Sequence, residues 1–208
     1  MNVSDTHKLL FFSTGRAASR TIGDLIWNEL NFYNLKEKTT ENATHQILYN
    51  HEKYKDYKVI MGVRNPYSIV LSTWRIAVEA WETDENVYTF PIYVKSGDSV
   101  GAFQFIDRTI YEVMQIRQID YLIHYENLLG DVLKLPFVDK QKAIRHIQGN
   151  TYYASKLLRK ENNQSDFTKY YTPELADIVY KRCEWYFTSF GYARDSYLEH
   201  PSSSVSSE

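Results

Sequence analysis

Two passages of the chain combine cationic, hydroxyl and small residues at spacings suited to holding phosphate-like anions. The first is Ser13-Thr14-Gly15-Arg16-Ala17-Ala18-Ser19-Arg20-Thr21. Its glycine and two alanines leave room for successive backbone N–H groups to close around an anion, and the start of a helix adds favourable potential there. Arg16 and Arg20 bring permanent charge and forked donors. The second is Arg64-Asn65-Pro66, with Ser72 eight residues beyond the arginine. A guanidinium at a strand's end and a hydroxyl about two turns into the next helix can converge on one phosphate. The nucleotide-kinase loop G-x-x-x-x-G-K-[ST] is missing, and the strand that in a kinase ends in an acidic metal ligand here ends in a cation. The pair predicts a ligand with two anionic ends and no need for a metal. Taken singly, the first passage is also explained by an ordinary β-α turn with two solvated arginines, and the second by an Arg64 that caps the sheet with Ser72 simply packed.

Both passages must sit at strand-to-helix turns. Residues 8–13 (KLLFFS) predict a short buried strand, broken by Thr14-Gly15 before a helical pattern from near Ala18 that carries Ile22, Leu25, Ile26 and Leu30. Residues 57–63 (YKVIMGV) predict a second buried strand, and Pro66 suits the first turn of a helix running to about Trp81. Residues 82–101 have no period and contain Pro91 and two glycines, which predicts a long loop. Helical spacing returns over residues 103–118, a third strand is expected at 119–124 (IDYLIH), and helices at 139–148 and 173–190. The last opens with Thr172-Pro173-Glu174 and closes at Gly191. Order is expected to fade after Tyr192, leaving residues 198–208 as a disordered tail behind one domain over 1–197. Strands alternating with helices predict an α/β fold on a central parallel sheet, with ligands beyond the carboxyl ends of its strands.

Bulk properties narrow the partners. A length of 208 residues suits one compact domain. A formal net charge of −2 gives no general basic field for nucleic acid or an anionic membrane, so anion binding must be local. Cys183, the single cysteine, excludes an internal disulfide and a thiolate zinc cluster, and reads as a small buried thiol in a reducing compartment. The N-terminal apolar run is too short for a signal peptide and no stretch reaches membrane-spanning length, so a cytoplasmic protein is expected. Tyrosine is abundant, at 18 residues, enough to line an amphipathic cleft as well as a core.

Taken together, the two turns resemble the sulfotransferase family that uses 3′-phosphoadenosine-5′-phosphosulfate (PAPS). In that family a (Lys/Arg)-(Ser/Ala/Gly)-Gly-(Thr/Ser)-(Thr/Arg) loop holds the 5′-phosphosulfate, and Arg-(Asp/Asn)-Pro followed by a serine eight residues after the arginine holds the 3′-phosphate. Here Arg16-Ala17-Ala18-Ser19-Arg20 stands for the first and Arg64-Asn65-Pro66 with Ser72 for the second. Arg16 replaces the usual lysine, as in the similar tyrosylprotein branch, and Ala18 the usual glycine. His124-Tyr125-Glu126-Asn127-Leu128-Leu129 is similar to the family's Tyr-Glu-Asp-Leu strand end, and Tyr171-Thr172-Pro173-Glu174-Leu175 through Phe190-Gly191-Tyr192 to its C-terminal helix.

The resemblance implies a three-layer α/β/α fold of P-loop nucleotide-hydrolase type and transfer of a sulfuryl group from PAPS, without a metal, to a hydroxyl or amine. It implies that Arg16 stabilises the leaving phosphate. Thr14 and Gly15 would open the loop, amides of Ala17, Ala18, Ser19, Arg20 and Thr21 would hold the 5′-phosphate, and Arg64 and Ser72 the 3′-phosphate. It also implies a proton acceptor ahead of the second arginine. His45, nineteen residues before Arg64, is the preferred candidate, with His51 and Glu41 as alternatives. Trp74, Trp81, Tyr88, Phe90 and Tyr93 offer rings for an acceptor to stack on. The acidic Glu79, Glu82, Asp84 and Glu85 favour an uncharged glycan or small alcohol over a sulfated polymer. A small-molecule or nucleotide kinase with an atypical loop, and a non-catalytic nucleotide-binding module of the same fold, remain open alternatives.

Overall fold

In a computed structural model of the chain, the residues described are 2–13, 17, 22, 33–34, 52–80, 84–96, 108–149 and 169–198. The chain divides into two compact units, each assembled from separate stretches of sequence: residues 1–63 with 107–153, and residues 64–106 with 154–208.

The first unit holds the sheet. Five strands, β1 (Asn2–Ser4), β2 (Leu9–Ser13), β3 (Tyr33–Asn34), β4 (Lys58–Val63) and β5 (Tyr121–His124), lie in the order β3-β1-β2-β4-β5. β2, β4 and β5 run parallel, as expected for apolar runs. Leu9, Leu10, Phe11 and Phe12 are all buried, as are Val59 through Val63, so the two inner strands are enclosed on both faces. That double burial is compatible with a three-layer α/β/α arrangement. The expected central parallel sheet is extended on one side by antiparallel strands that the sequence reading did not include. β1 pairs antiparallel with β2 and with β3, through a turn closed by Lys8 at φ 50°. Asn-Val-Ser is too short and too polar to read as a strand alone, and it forms because β2 offers it an open edge.

Helices α3 (Arg108–Ile116), α4 (Leu128–Leu133) and α5 (Lys140–Gly149) also belong to this unit, and 3₁₀ residues Tyr125–Asn127 join β5 to α4. One face of the sheet, through Leu9, Phe11, Ile60 and Ile123, packs on Leu128, Val132, Leu135, Ala143 and Ile147, and Ile22 joins the same core. Ile22 is the first apolar position of the helix expected after β2, so the sequence reading of that position agrees with its burial. The Arg117 guanidinium donates to the carbonyls of Tyr54, at 2.6 Å, and Tyr57, tying the turn ahead of β4 to the end of α3.

The second unit is helical: α1 (Pro66–Ala80), α2 (Phe90–Ser96) and α6 (Pro173–Phe190), followed by a 3₁₀ turn at Ser196–Leu198. α6 has the expected ends. Thr172 Oγ1 accepts from the Leu175 N–H at 3.3 Å, and Gly191 adopts the left-handed conformation, φ 72°, that other residues rarely tolerate. Its buried side chains Leu175, Ala176, Val179, Cys183, Tyr186, Phe187 and Phe190 recur every three to four residues. Backbone angles at Cys183 (φ −121°, ψ 16°) kink the helix there. The Cys183 thiol is buried, which pushes it up to about 12, as an inert core thiol.

Two expectations are corrected in this unit. Residues 82–101 are not loop throughout, since α2 lies within them. Pro91 falls in its first turn, where a missing N–H costs nothing, and Phe90, Tyr93 and Val94 give the apolar face. Nor is order lost after Tyr192. The Tyr67 hydroxyl donates to the Arg194 carbonyl at 2.6 Å, and Ser196 is buried. Residues 199–208 lie outside the described residues.

Ile60 is fully buried on the inner strand. Ile60→Ala is expected to destabilise the protein by about 2 to 5 kcal/mol, read as a fall in the urea midpoint with unchanged slope.

Candidate functional site

The carboxyl edge of the sheet is where the two motif turns begin. In the parallel pair, Ser13 lies opposite Gly62, and across the next pair Gly62 lies opposite Ile123. These three residues form a row, and the chain leaves it at neighbouring strand tips: at residue 14 from β2 and at Arg64 from β4. Of the first turn, Ala17 is described and fully buried. Thr14, Gly15, Arg16, Ala18, Ser19, Arg20 and Thr21 lie outside the described residues, as do Glu41, His45 and His51.

The second turn is described in full. Asn65 is the N-cap of α1: its Oδ1 accepts from the Tyr67 N–H at 3.0 Å and its carbonyl accepts from Ile69 at 3.0 Å. Pro66 fills the first helical position as the sequence predicts. The Asn65 side chain also donates through Nδ2 to Ser196 Oγ at 2.9 Å, and that hydroxyl donates to the Ala193 carbonyl at 2.7 Å. The Arg64 N–H donates to the Tyr186 hydroxyl at 3.2 Å. The turn is thus pinned to α6 and to the 3₁₀ turn beyond it, leaving the backbone that carries the guanidinium little freedom. Arg64 and Ser72 are both half-buried, with Ser72 in the second turn of α1. Sequence reasoning nominated Arg64, Asn65, Pro66 and Ser72, whereas their partners Tyr186 and Ser196, more than a hundred residues away, carry no local signal.

The aromatic residues proposed to face an acceptor divide differently. Trp74, Phe90 and Tyr93 are buried, with relative exposures of 3 %, 3 % and 1 %. Trp74 meets Phe90 and Tyr170 edge-on or tilted, its indole N–H donates to the Tyr88 carbonyl at 2.8 Å, and Phe90 packs on Tyr171. These rings are core, the reading the sequence favoured for Trp74, and the expectation of open faces is corrected for Phe90 and Tyr93. Tyr88 is half-buried and packs edge-on against Tyr93, while Trp81 lies outside the described residues. Tyr67 is the hub of the same core, touching Tyr171, Phe187 and Tyr197. Glu79, Asp84 and Glu85 are exposed as the sequence suggests.

A further polar arrangement stands at the tip of β5. Asp131, only 7 % exposed, accepts from the His124 N–H at 2.9 Å and lies 3.0 Å from His124 Nδ1 through the same oxygen. Its other oxygen accepts from Asn127 Nδ2 and Lys134 Nζ, each at 3.0 Å. Burial alone would push this carboxyl up. The bonds from the His124 N–H, Lys134 and the imidazole outweigh it and hold Asp131 below its ordinary 3.8. A carboxylate seven residues on becomes the neighbour of His124 because the 3₁₀ turn folds α4 back over the strand end.

No family model, curated protein or solved structure matches the chain. Among the described residues no helix is long and apolar enough to cross a membrane.

Asn65→Ala removes a helix cap and leaves the buried Ser196 hydroxyl one donor short. It should cost about 1 to 3 kcal/mol, and Asn65→Asp, which keeps the capping oxygen, should cost less, as measured by thermal melting. Because the folded value of Asp131 is depressed, its contribution to stability is complete above 3.8 and lost as pH falls through the lower folded value. Asp131→Asn should therefore show a weaker loss of stability on acidification through that window, in denaturant melts at stepped pH.

Proposed function

We propose that the protein transfers a sulfuryl group from PAPS to a hydroxyl or amine of an acceptor. The supporting observation is the parallel pairing of β2 with β4, which starts the two predicted anion-binding turns at adjacent strand tips on one edge of the sheet. Ligands of open α/β sheets bind beyond that edge. The P-loop-like three-layer fold is part of this reading and agrees with the burial of β2 and β4 on both faces.

The residue roles follow from charge and reach. Backbone amides from Ala17 to Thr21, with the hydroxyls of Ser19 and Thr21, would hold the 5′-phosphate, with Thr14, Gly15 and Arg20 completing the loop. Arg16 would offset the charge growing on the leaving phosphate. A guanidinium keeps its proton at ordinary pH, so this role is electrostatic. Arg64 and Ser72 would bind the 3′-phosphate that separates this nucleotide from ADP. Support for Arg64 comes from its turn being fixed by Asn65, Tyr186 and Ser196 before any ligand arrives, so little ordering cost falls on binding.

In-line transfer needs the acceptor oxygen, sulfur and leaving oxygen aligned, and needs a base for the acceptor's proton. His45 and Glu41 are the bases the sequence nominates. Exposed Glu79, Asp84 and Glu85 favour an uncharged acceptor, a glycan or small alcohol. A cytoplasmic setting would suit a chain whose single thiol is buried.

Calorimetry without magnesium tests the reading. The protein should bind 3′,5′-adenosine bisphosphate well ahead of ADP, and Arg64→Ala should erase most of that preference, by about 2 to 5 kcal/mol. Equal affinity for the two nucleotides would overturn it.

A further inference from the structure

A short segment beyond α6 closes over the start of α1, within the helical unit. The Ser196 hydroxyl accepts from Asn65 Nδ2 at 2.9 Å and donates to the Ala193 carbonyl at 2.7 Å, which the Ser196 N–H also reaches, at 3.1 Å. The Arg194 carbonyl accepts from the Tyr67 hydroxyl at 2.6 Å, and the Tyr197 ring meets Tyr67 edge-on with centroids 5.5 Å apart. The segment is thereby fastened to the residues on either side of Pro66.

This fastening reaches Arg64 through one residue. Asn65 gives Nδ2 to Ser196 and uses Oδ1 for the Tyr67 N–H, so one amide orientation serves both the segment and the helix cap. Yet the segment is lightly held. Ser196 is 2 % exposed, but Ala193, Arg194, Asp195 and Leu198 are exposed and Tyr197 is half-buried. The Arg194–Asp177 ion pair on its outer side, at 2.7 Å, lies largely in solvent, where such pairs contribute little. Segments with few buried side chains open locally at a small fraction of the global unfolding free energy. One that opens readily and shares a residue with a binding turn sets the fraction of molecules ready to bind.

We infer that residues 193–198 are a strap that tunes the affinity of the Arg64 turn for its anion, with Ser196 as the positioning residue. This rests on the reading in which that turn takes the 3′-phosphate. With the strap closed, Asn65 caps α1 and fixes the backbone next to Arg64. With it open, Asn65 Nδ2 loses its acceptor and the amide is released from the capping orientation. The nucleotide binds the closed form more tightly, and by reciprocity its binding favours closure. Ser196 acts through Asn65 and makes no contact of its own with the nucleotide.

Calorimetry on the full chain, with 3′,5′-adenosine bisphosphate and ADP as probes, tests the role. Ser196→Ala should weaken bisphosphate binding about 5-fold or more and leave ADP binding unchanged, because ADP lacks the group that the Arg64 turn holds. Tyr67→Phe, which keeps the ring and loses the bond to the Arg194 carbonyl, should act in the same direction. Adding Ser196→Ala to Arg64→Ala should cost nothing further, since the strap works through that residue. In the wild-type protein, bisphosphate but not ADP should slow hydrogen exchange at the Ser196 and Leu198 amides, which donate within the strap to Ala193 and Asp195. A merely structural serine would weaken both nucleotides alike and add to Arg64→Ala. Equal weakening, additive losses, or bisphosphate affinity unchanged in both strap variants would overturn the role and leave the 3′-phosphate assignment standing. So would strap amides that ignore bisphosphate or respond alike to both nucleotides. Wild-type protein that binds the two nucleotides equally would overturn that assignment, and this role with it.

Discussion

The register between β2 and β4 is the constraint on which the rest depends. Ser13 opposite Gly62 brings two turns, nearly fifty residues apart in sequence, to one edge. A slip of one residue would turn every side chain of a strand to the opposite face. Apolar side chains on both faces of both strands oppose such a slip, because Leu9, Phe11 and Ile60 belong to one packed core while Leu10, Val59 and Met61 are buried on the other side. Hydrophobic burial, which carries no chemistry itself, thereby fixes where two polar turns start.

From that edge outward, polar contacts take over. The Arg64 turn is fixed by an asparagine that caps one helix and reaches a serine beyond another, and by a tyrosine hydroxyl on the Arg64 amide. The tip of β5 is fixed by Asp131, which gathers a backbone amide, an imidazole, an amide side chain and an ammonium. In both places the backbone that carries a polar side chain is fixed by folding.

Sequence made the inner strands legible because a strand buried on two faces must be apolar throughout, as LLFF and VIMGV are. It also gave both ends of α6, since Thr-Pro-Glu and a terminal glycine act through the nearest backbone groups. What it missed depended on distant partners. Asn2–Ser4 is a strand only because β2 presents an edge, and Pro91 reads as a breaker until its place in a first turn is known. Trp74 and Phe90 look alike in sequence whether they line a cleft or fill a core, and Tyr170 and Tyr171 decide for the core. Within the candidate site, Arg64 and Ser72 were nominated from spacing along one turn and helix. Asp131 was not, because its link to His124 depends on how a 3₁₀ turn reverses the chain.

The most direct test of the account is a crystal structure of the protein with 3′,5′-adenosine bisphosphate. The account predicts the 3′-phosphate against the Arg64 guanidinium and the Ser72 hydroxyl, and the 5′-phosphate within hydrogen-bond reach of the backbone amides after Arg16. A nucleotide seated away from the tips of β2 and β4, or one whose two phosphates both avoid these turns, would contradict it.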